Sequence, residues 1–283
     1  MDFVFFGTPE FAAIILEKLI KAGLVPRAVV ANPDRPVGRK QILTAPPTKE
    51  MIRGKGLEGS VKIFQPENFS PLTPHLSPLK PDIFIVAAYT KILPKEILAI
   101  PRLGTIGVHP SLLPKYRGPT PIQTAILKGE EETGVTLYLV DEKVDHGKII
   151  SNIKYQISKT HTYESLAKKL AELGGDLLIE TLPKFIKGEI KPIPQNENEA
   201  TYTKKFTAED GFIEPEILRQ AEDGVNLKAT IDIERQIRAL NPEPGVWTIK
   251  NGKRMKLLEA EIIDNKLLLK TIQLEGKKPT AAI

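Results

Sequence analysis

Short apolar runs alternating with stretches of helical period constrain this chain most. "FVFFG", Phe3–Gly7, is an apolar run closed by glycine, the pattern of a strand buried on both faces. "PEFAAIILEKLIKAG" follows with helical spacing, Pro9 near its start and Gly23 at its end, where a helix tolerates each. "PRAVVA", "PDIFIVAAY" and "GTIGVH" repeat the strand signal. This alternation predicts an α/β fold with a mostly parallel, Rossmann-like sheet and right-handed crossovers. Ligands of such sheets bind beyond the carboxyl ends of the strands, where Tyr89, His109 and the loops after them fall. A dinucleotide or P-loop site is excluded, because "GTPEF" after the first strand has one glycine and no G-x-G-x-x-G or Walker pattern occurs.

Further on, "PIQTAILKG" reads as a short helix, "GVTLYLVD" and "KIISNIKYQI" as strands, and "TYESLAKKLAELGGDLLIETLPKFIKG" as a long amphipathic helix capped by Thr162. The polar, proline-containing segment 189–205 reads as a linker. Beyond it, "DIERQIRAL" is a helix, and "GVWTIKNGKRMKLLEAEIIDNKLLLKTIQL" alternates like a meander of about three strands with "NGK" and "DNK" turns. A length of 283 residues suits two domains. The expected division is 1–188 for the larger, 189–205 for the linker and 206–283 for a small, mostly β domain.

The chain has no cysteine, which removes disulfides, thiol chemistry and thiolate-ligated metals. His75, His109, His146 and His161 show no ligand spacing, so no metal is expected. The N-terminal stretch has no basic leader, and no run of about 18 apolar residues occurs, so no membrane span and a cytoplasmic location are expected. The net charge of +5 is unevenly spread, with 28 basic and 22 acidic residues before Phe206 and 12 and 13 after it. Within Asp34–Lys55, Arg35, Arg39, Lys40, Lys49, Arg53 and Lys55 face only Asp34 and Glu50. Such a loop suits a phosphate backbone and equally suits plain solvent.

Two polar groups stand out for chemistry. His109 ends a predicted strand, and Asp145 lies in "DEKVDHG" between two others. A carboxylate beside an imidazole fixes its tautomer and supports its protonated form. A histidine in a strand serves structure as readily as catalysis, and spacing alone does not make these two touch.

"HPSLLPKYRGPTPIQ" followed by "ETGVTLYLVDEKVDHGKI" resembles the formyltransferases that use 10-formyltetrahydrofolate. Their pattern is N-x-H, then S-L-L-P-x-x-R-G, then D-x-G. "FFGTPEFA", "PDRPVGR", "IFQPEN", "AAYTKILP" and "RALNPEPGVWT" are similar to the methionyl-tRNA branch in particular. The resemblance runs through most of the chain and implies an OB-like β-barrel for the tail. The tail is abbreviated here, because "EAEIIDNKLLLKTIQLEGKKP" reaches its final segment by a shortcut.

The resemblance implies transfer of a formyl group from 10-formyltetrahydrofolate, a co-substrate, to the α-amine of initiator methionyl-tRNA by a monomer. It makes His109 the catalytic imidazole and Asp145 its partner. Folate would lie against Ala87, Tyr89, Ile92, Leu93, Val140, Asp141 and Asp145. Ser111, Arg117, Gly118 and Gln123 would shape the acceptor side, although Arg117 fits a structural ion pair as well as a substrate contact. Arg35, Arg39 and Lys40 match the loop that enters the tRNA acceptor stem. Lys253 and Arg254 lie on a basic hairpin edge of the tail, compatible with RNA backbone or an ordinary charged turn. Another amine acceptor, a nucleotide sugar or glycinamide ribonucleotide, is the alternative substrate class.

One departure matters. Gly107 stands where the pattern has the asparagine whose amide supports the oxyanion formed as the amine attacks, and loss of such a donor costs about 10²–10³ in rate. A main-chain N–H, a water or Asn152 could substitute, or the chain could bind folate and tRNA without turnover. Gly107→Asn is expected to raise turnover if the rest of the site follows the pattern.

Overall fold

The computed structural model describes residues 1–38, 40–69 and 72–282. In chain order its elements are β1 (Phe3–Gly7), α1 (Glu10–Lys21), β2 (Ala28–Val30), β3 (Arg35–Val37), β4 (Ile42–Thr44), α2 (Pro47–Gly54), β5 (Lys62–Phe64), α3 (Thr73–Leu76), β6 (Ile83–Ala87), α4 (Lys95–Leu98), β7 (Thr105–His109), α5 (Pro121–Lys128), β8 (Glu132–Leu139), β9 (Ile149–Gln156), α6 (Tyr163–Ile186), α7 (Pro215–Asp223), α8 (Leu227–Leu240), β10 (Trp247–Lys250), β11 (Lys253–Ile263), β12 (Lys266–Leu274) and β13 (Thr280–Ala281).

The main sheet has the order β5-β2-β1-β6-β7-β8-β9. Its first five strands pair in parallel and β8 runs antiparallel to β7. All five residues of β1 and of β7 are buried, as expected of a sheet covered on both faces. On one face Gly174 of α6 packs close to Val108, Val135 and Ile15. On the other, Phe6 and Phe84 sit in a cluster with Val4, Val30, Leu76 and Ile97.

The chain divides into two compact units, Met1–Arg117 with Thr133–Tyr155 and Ala167–Tyr202, and Gly118–Glu132 with Gln156–Leu166 and Thr203–Ile283. Segments 118–132 and 156–166, which lie inside the expected 1–188 region, thus cluster with the C-terminal residues. Hydrogen bonds fix them there, from the Thr120 hydroxyl to the Lys204 carbonyl (2.7 Å) and from Arg238 to the His161 carbonyl (2.7 Å). The second unit carries a four-stranded antiparallel sheet of order β10-β11-β12-β13 and the helices α7 and α8. Asn226 caps α8 by accepting from the Ala229 N–H at 3.0 Å.

Segment 190–202 is hydrogen bonded within the first unit rather than trailing. Arg117 N–H donates to the Thr201 carbonyl, and Ile149 and Ile193 exchange backbone bonds at 2.8 Å. Among the described residues no helix is long and apolar enough to cross a membrane.

Candidate active site

Strand register builds the centre of the site. In the β7–β8 pair, Gly107 lies opposite Tyr138 and His109 opposite Thr136. Side chains two apart on a strand, and those directly opposite, share one face. Gly107, His109, Thr136 and Tyr138 therefore share a face, and Val108, Val135 and Leu137 fill the opposite one.

His109 is 6% exposed. Its Nε2 lies 2.9 Å from the Tyr116 carbonyl oxygen, and its Nδ1 lies 3.5 Å from Asp145 Oδ2. Because β8 is antiparallel, its end at Leu139 pairs with Ile106 and not with His109. The loop after β8 must double back to bring Asp145 beside His109. It is tied by Val140 N–H to the Thr105 carbonyl (2.8 Å) and Leu139 N–H to the Lys148 carbonyl (2.9 Å). Gly147 makes the turn possible, since a Cβ there would fall 1.6 Å from the Leu139 carbonyl oxygen. Asp145 itself has φ 47°, an unfavourable backbone region for a non-glycine residue. Gln195 steadies it by donating to the carbonyls of Asp145 (2.9 Å) and Gly147 (2.8 Å).

The loop after His109 is closed on itself. Ser111 is buried and donates to the Lys115 carbonyl at 2.6 Å, and the Thr136 hydroxyl bridges the Ser111 carbonyl and the Leu113 N–H. Arg117 is fully buried. Its guanidinium donates to Gln195 (2.8 Å), Glu197 (2.6 Å) and the Tyr202 hydroxyl (3.1 Å). The Glu197 bond raises the Arg117 pKa and the same contact lowers that of Glu197. Arg117 thus has the ion pair that the sequence allowed for, and through Gln195 it reaches the backbone of Asp145. Gly118 (φ 105°) and Gln123, on α5, belong to the other unit.

At the carboxyl end of β6, Ala87 is buried, Ala88 takes φ 46° and Ile92 is 74% exposed, while Leu93 turns into the core. Tyr89 packs edge-on to Phe6 and Phe69. Burial pushes its phenol pKa up to about 12. The Tyr89 hydroxyl and Asn32 Oδ1 are buried without a hydrogen-bond partner among the described residues, which fits a polar ligand at these strand ends. Val140 and Asp141 lie on the returning loop, and Asp141 accepts from the Lys143 N–H and contacts His146 Nδ1 at 2.6 Å.

The basic segment forms an exposed hairpin, β3 with β4. Lys49 pairs with Asp34 (2.9 Å), Arg53 with Glu50 and Glu58, and Lys55 with Glu17. Arg35 and Lys40 are exposed with no acidic partner among the described residues, and Arg39 lies outside them. In the second unit Lys253 is exposed opposite Lys250, and the Arg254 guanidinium stacks on Trp247 at 4.1 Å, a cation–π contact.

A Cβ at Gly107 would lie 2.3 Å from Tyr138 Cε1 and 2.5 Å from its Cζ, so an asparagine at this position requires the Tyr138 ring to move. Asn152 is exposed on β9. Sequence reading passed over Tyr138, Gln195, Glu197 and Tyr202. An aromatic at an inward position of β8 was the available signal for the first, and the polar segment 190–204 gave none for the others.

Residues 1–182 match the family described as formyl transferase, and residues 218–267 match the formyl transferase C-terminal domain. A methionyl-tRNA formyltransferase of Enterococcus faecalis is 42% identical over 256 residues, covering 90% of this chain and 77% of that one. One of Kosmotoga olearia is 42% identical over 267 residues, covering 94% and 81%. The solved structure of a methionyl-tRNA formyltransferase from Clostridium thermocellum has the same fold, with a TM-score of 0.64 at 15% identity over 97% of this chain and 98% of that one. On the length and level of these matches, the chain belongs to the formyl transferase family, among the methionyl-tRNA formyltransferases.

Proposed function

We propose that this chain formylates the α-amine of initiator methionyl-tRNA, using 10-formyltetrahydrofolate, at a site centred on His109 and Asp145. The observation that carries the reading is the buried imidazole with a carboxylate oxygen 3.5 Å from its Nδ1, in a chain of this family. The folate co-substrate supplies an electrophilic formyl carbon. The Tyr116 carbonyl can only accept, so neutral His109 carries its proton on Nε2 and keeps the lone pair on Nδ1. A proton taken from the amine at Nδ1 then lies against Asp145, which stabilises the imidazolium. As the new amine–formyl C–N bond forms, the bond from the formyl carbon to the folate nitrogen breaks, the imidazolium returns the proton to that nitrogen, and tetrahydrofolate leaves.

Ala87, Tyr89, Ile92, Leu93, Val140 and Asp141 hold the folate, and the unpartnered Tyr89 hydroxyl and Asn32 Oδ1 support this. Ser111, Arg117, Gly118 and Gln123 keep the acceptor side in shape. Arg35, Arg39 and Lys40, with Lys253 and Arg254 on the tail, neutralise RNA phosphates. In this reading 1–188 carries transfer, 206–283 carries RNA binding, 189–205 joins them, and the protein acts as a cytoplasmic monomer.

His109→Ala and Asp145→Ala should each lower the rate of formyl transfer by at least about 10²-fold, with the fold intact by circular dichroism. Wild-type-like turnover in either variant overturns the assignment of the site. Preferred formylation of a nucleotide sugar by the wild-type protein overturns the substrate.

A further inference from the structure

The hydroxyl of Tyr138 is not accounted for by the roles assigned above. The residue is buried, and its Oη donates to Asp145 Oδ1 at 2.6 Å. The other carboxylate oxygen, Oδ2, is the one that faces His109 Nδ1. Tyr138 therefore holds one oxygen of the carboxylate while the second is presented to the imidazole. Its ring lies directly over Gly107, the residue opposite it in the strand pair. Burial first, and the Asp145 charge second, hold the phenol pKa well above its ordinary value. The hydroxyl keeps its proton through the neutral range and remains a donor to the carboxylate. A hydrogen bond to a charged acceptor is among the stronger kinds.

We propose that Tyr138 is a positioning residue of the formyl-transfer site and that Gly107 and Tyr138 form a matched pair. The glycine exists to admit the ring, and the ring brings a hydroxyl that orients Asp145 toward His109. In this chain the polar side chain serving this part of the site comes from β8 instead of position 107. The proposal rests on the assignment of His109 and Asp145 made above. The hydroxyl has one hydrogen, given to Asp145 in this structure, so its action on transfer runs through the carboxylate.

The test is Tyr138→Phe, which keeps the ring over Gly107 and removes the hydroxyl. kcat should fall roughly 10- to 100-fold, the loss expected for a hydrogen bond to a charged group, with the KM for folate and for tRNA within about twofold of wild type. The acid limb of the kcat profile should move to higher pH, because loss of the Tyr138 hydrogen bond to the carboxylate favours the protonated imidazole. A ring that only fills space would leave kcat and its pH profile unchanged.

The pair is tested separately by unfolding of the substrate-free protein. Gly107→Asn should lower the melting temperature, and adding Tyr138→Ala should recover part of that loss. Additive losses in the double variant overturn the pairing. His109→Ala measured alongside separates the two levels of the account. An inactive His109→Ala with a fully active Tyr138→Phe overturns the role of Tyr138 alone, whereas an active His109→Ala overturns the site itself.

Discussion

The sheet face around His109 and the hairpin at Arg35–Thr44 belong to one compact unit and are built on opposite terms. On the sheet face, His109, Ser111, Arg117, Tyr138 and Asp145 are all hydrogen bonded within the protein. On the hairpin, all six strand residues are exposed, and Arg35 and Lys40 have no acidic partner among the described residues. Three neighbouring cations, Lys49, Arg53 and Lys55, are already paired. Chemistry needs groups fixed within fractions of an ångström, and buried hydrogen bonds supply that. Recognition of a phosphate backbone needs charge not already neutralised by a neighbour, and exposure supplies that.

The largest break in this contrast comes from the closed region. Arg117→Met keeps most of the volume but strips Gln195 and Tyr202 of a donor. Loss of about 2–3 kcal/mol of stability is expected, together with a drop in kcat as Asp145 loses its backbone support. The Glu197 pKa is lowered mainly by Arg117. The stability this gives is present above the ordinary glutamate pKa and is lost as pH falls through the lowered one. The gap between wild type and Arg117→Met in denaturant midpoint should therefore narrow as the medium is acidified through that range.

The smallest effect sharpens the contrast from the other side. Arg35→Ala and Lys40→Ala should leave kcat and the melting temperature unchanged. Each should raise the KM for tRNA severalfold and reduce the dependence of log K on log salt by about one. Loss of stability in either variant would show that the hairpin is part of the folded core.

The sequence made the centre of the sheet legible because β1, β6 and β7 are uninterrupted apolar runs, and it made α6 legible through its period. β5, three residues containing Lys62, and the β3–β4 hairpin, with Pro36 inside it, carry no such signal. α7, which begins at Pro215 in a charged stretch, carries no apolar run either. His109 and Asp145 could be singled out one by one. Their approach depends on a loop that reverses over the sheet, and no local pattern encodes that reversal. Tyr138 shows the same limit. Its importance comes from the residue opposite it, 31 positions earlier in the chain, and register between strands is a property of the folded sheet. Gln195 and Glu197 looked like linker because polar residues in a proline-containing segment read as solvated, whereas here they face a buried arginine.

The measurement that bears most directly on the central claim is formyl transfer from 10-formyltetrahydrofolate to charged initiator methionyl-tRNA, with elongator methionyl-tRNA in parallel. It should be run on the wild-type protein with Gly107 in place. Selective formylation of the initiator is the predicted result, and it would show that a glycine opposite Tyr138 supports catalysis. Bound folate with no transfer to either tRNA would contradict the claim.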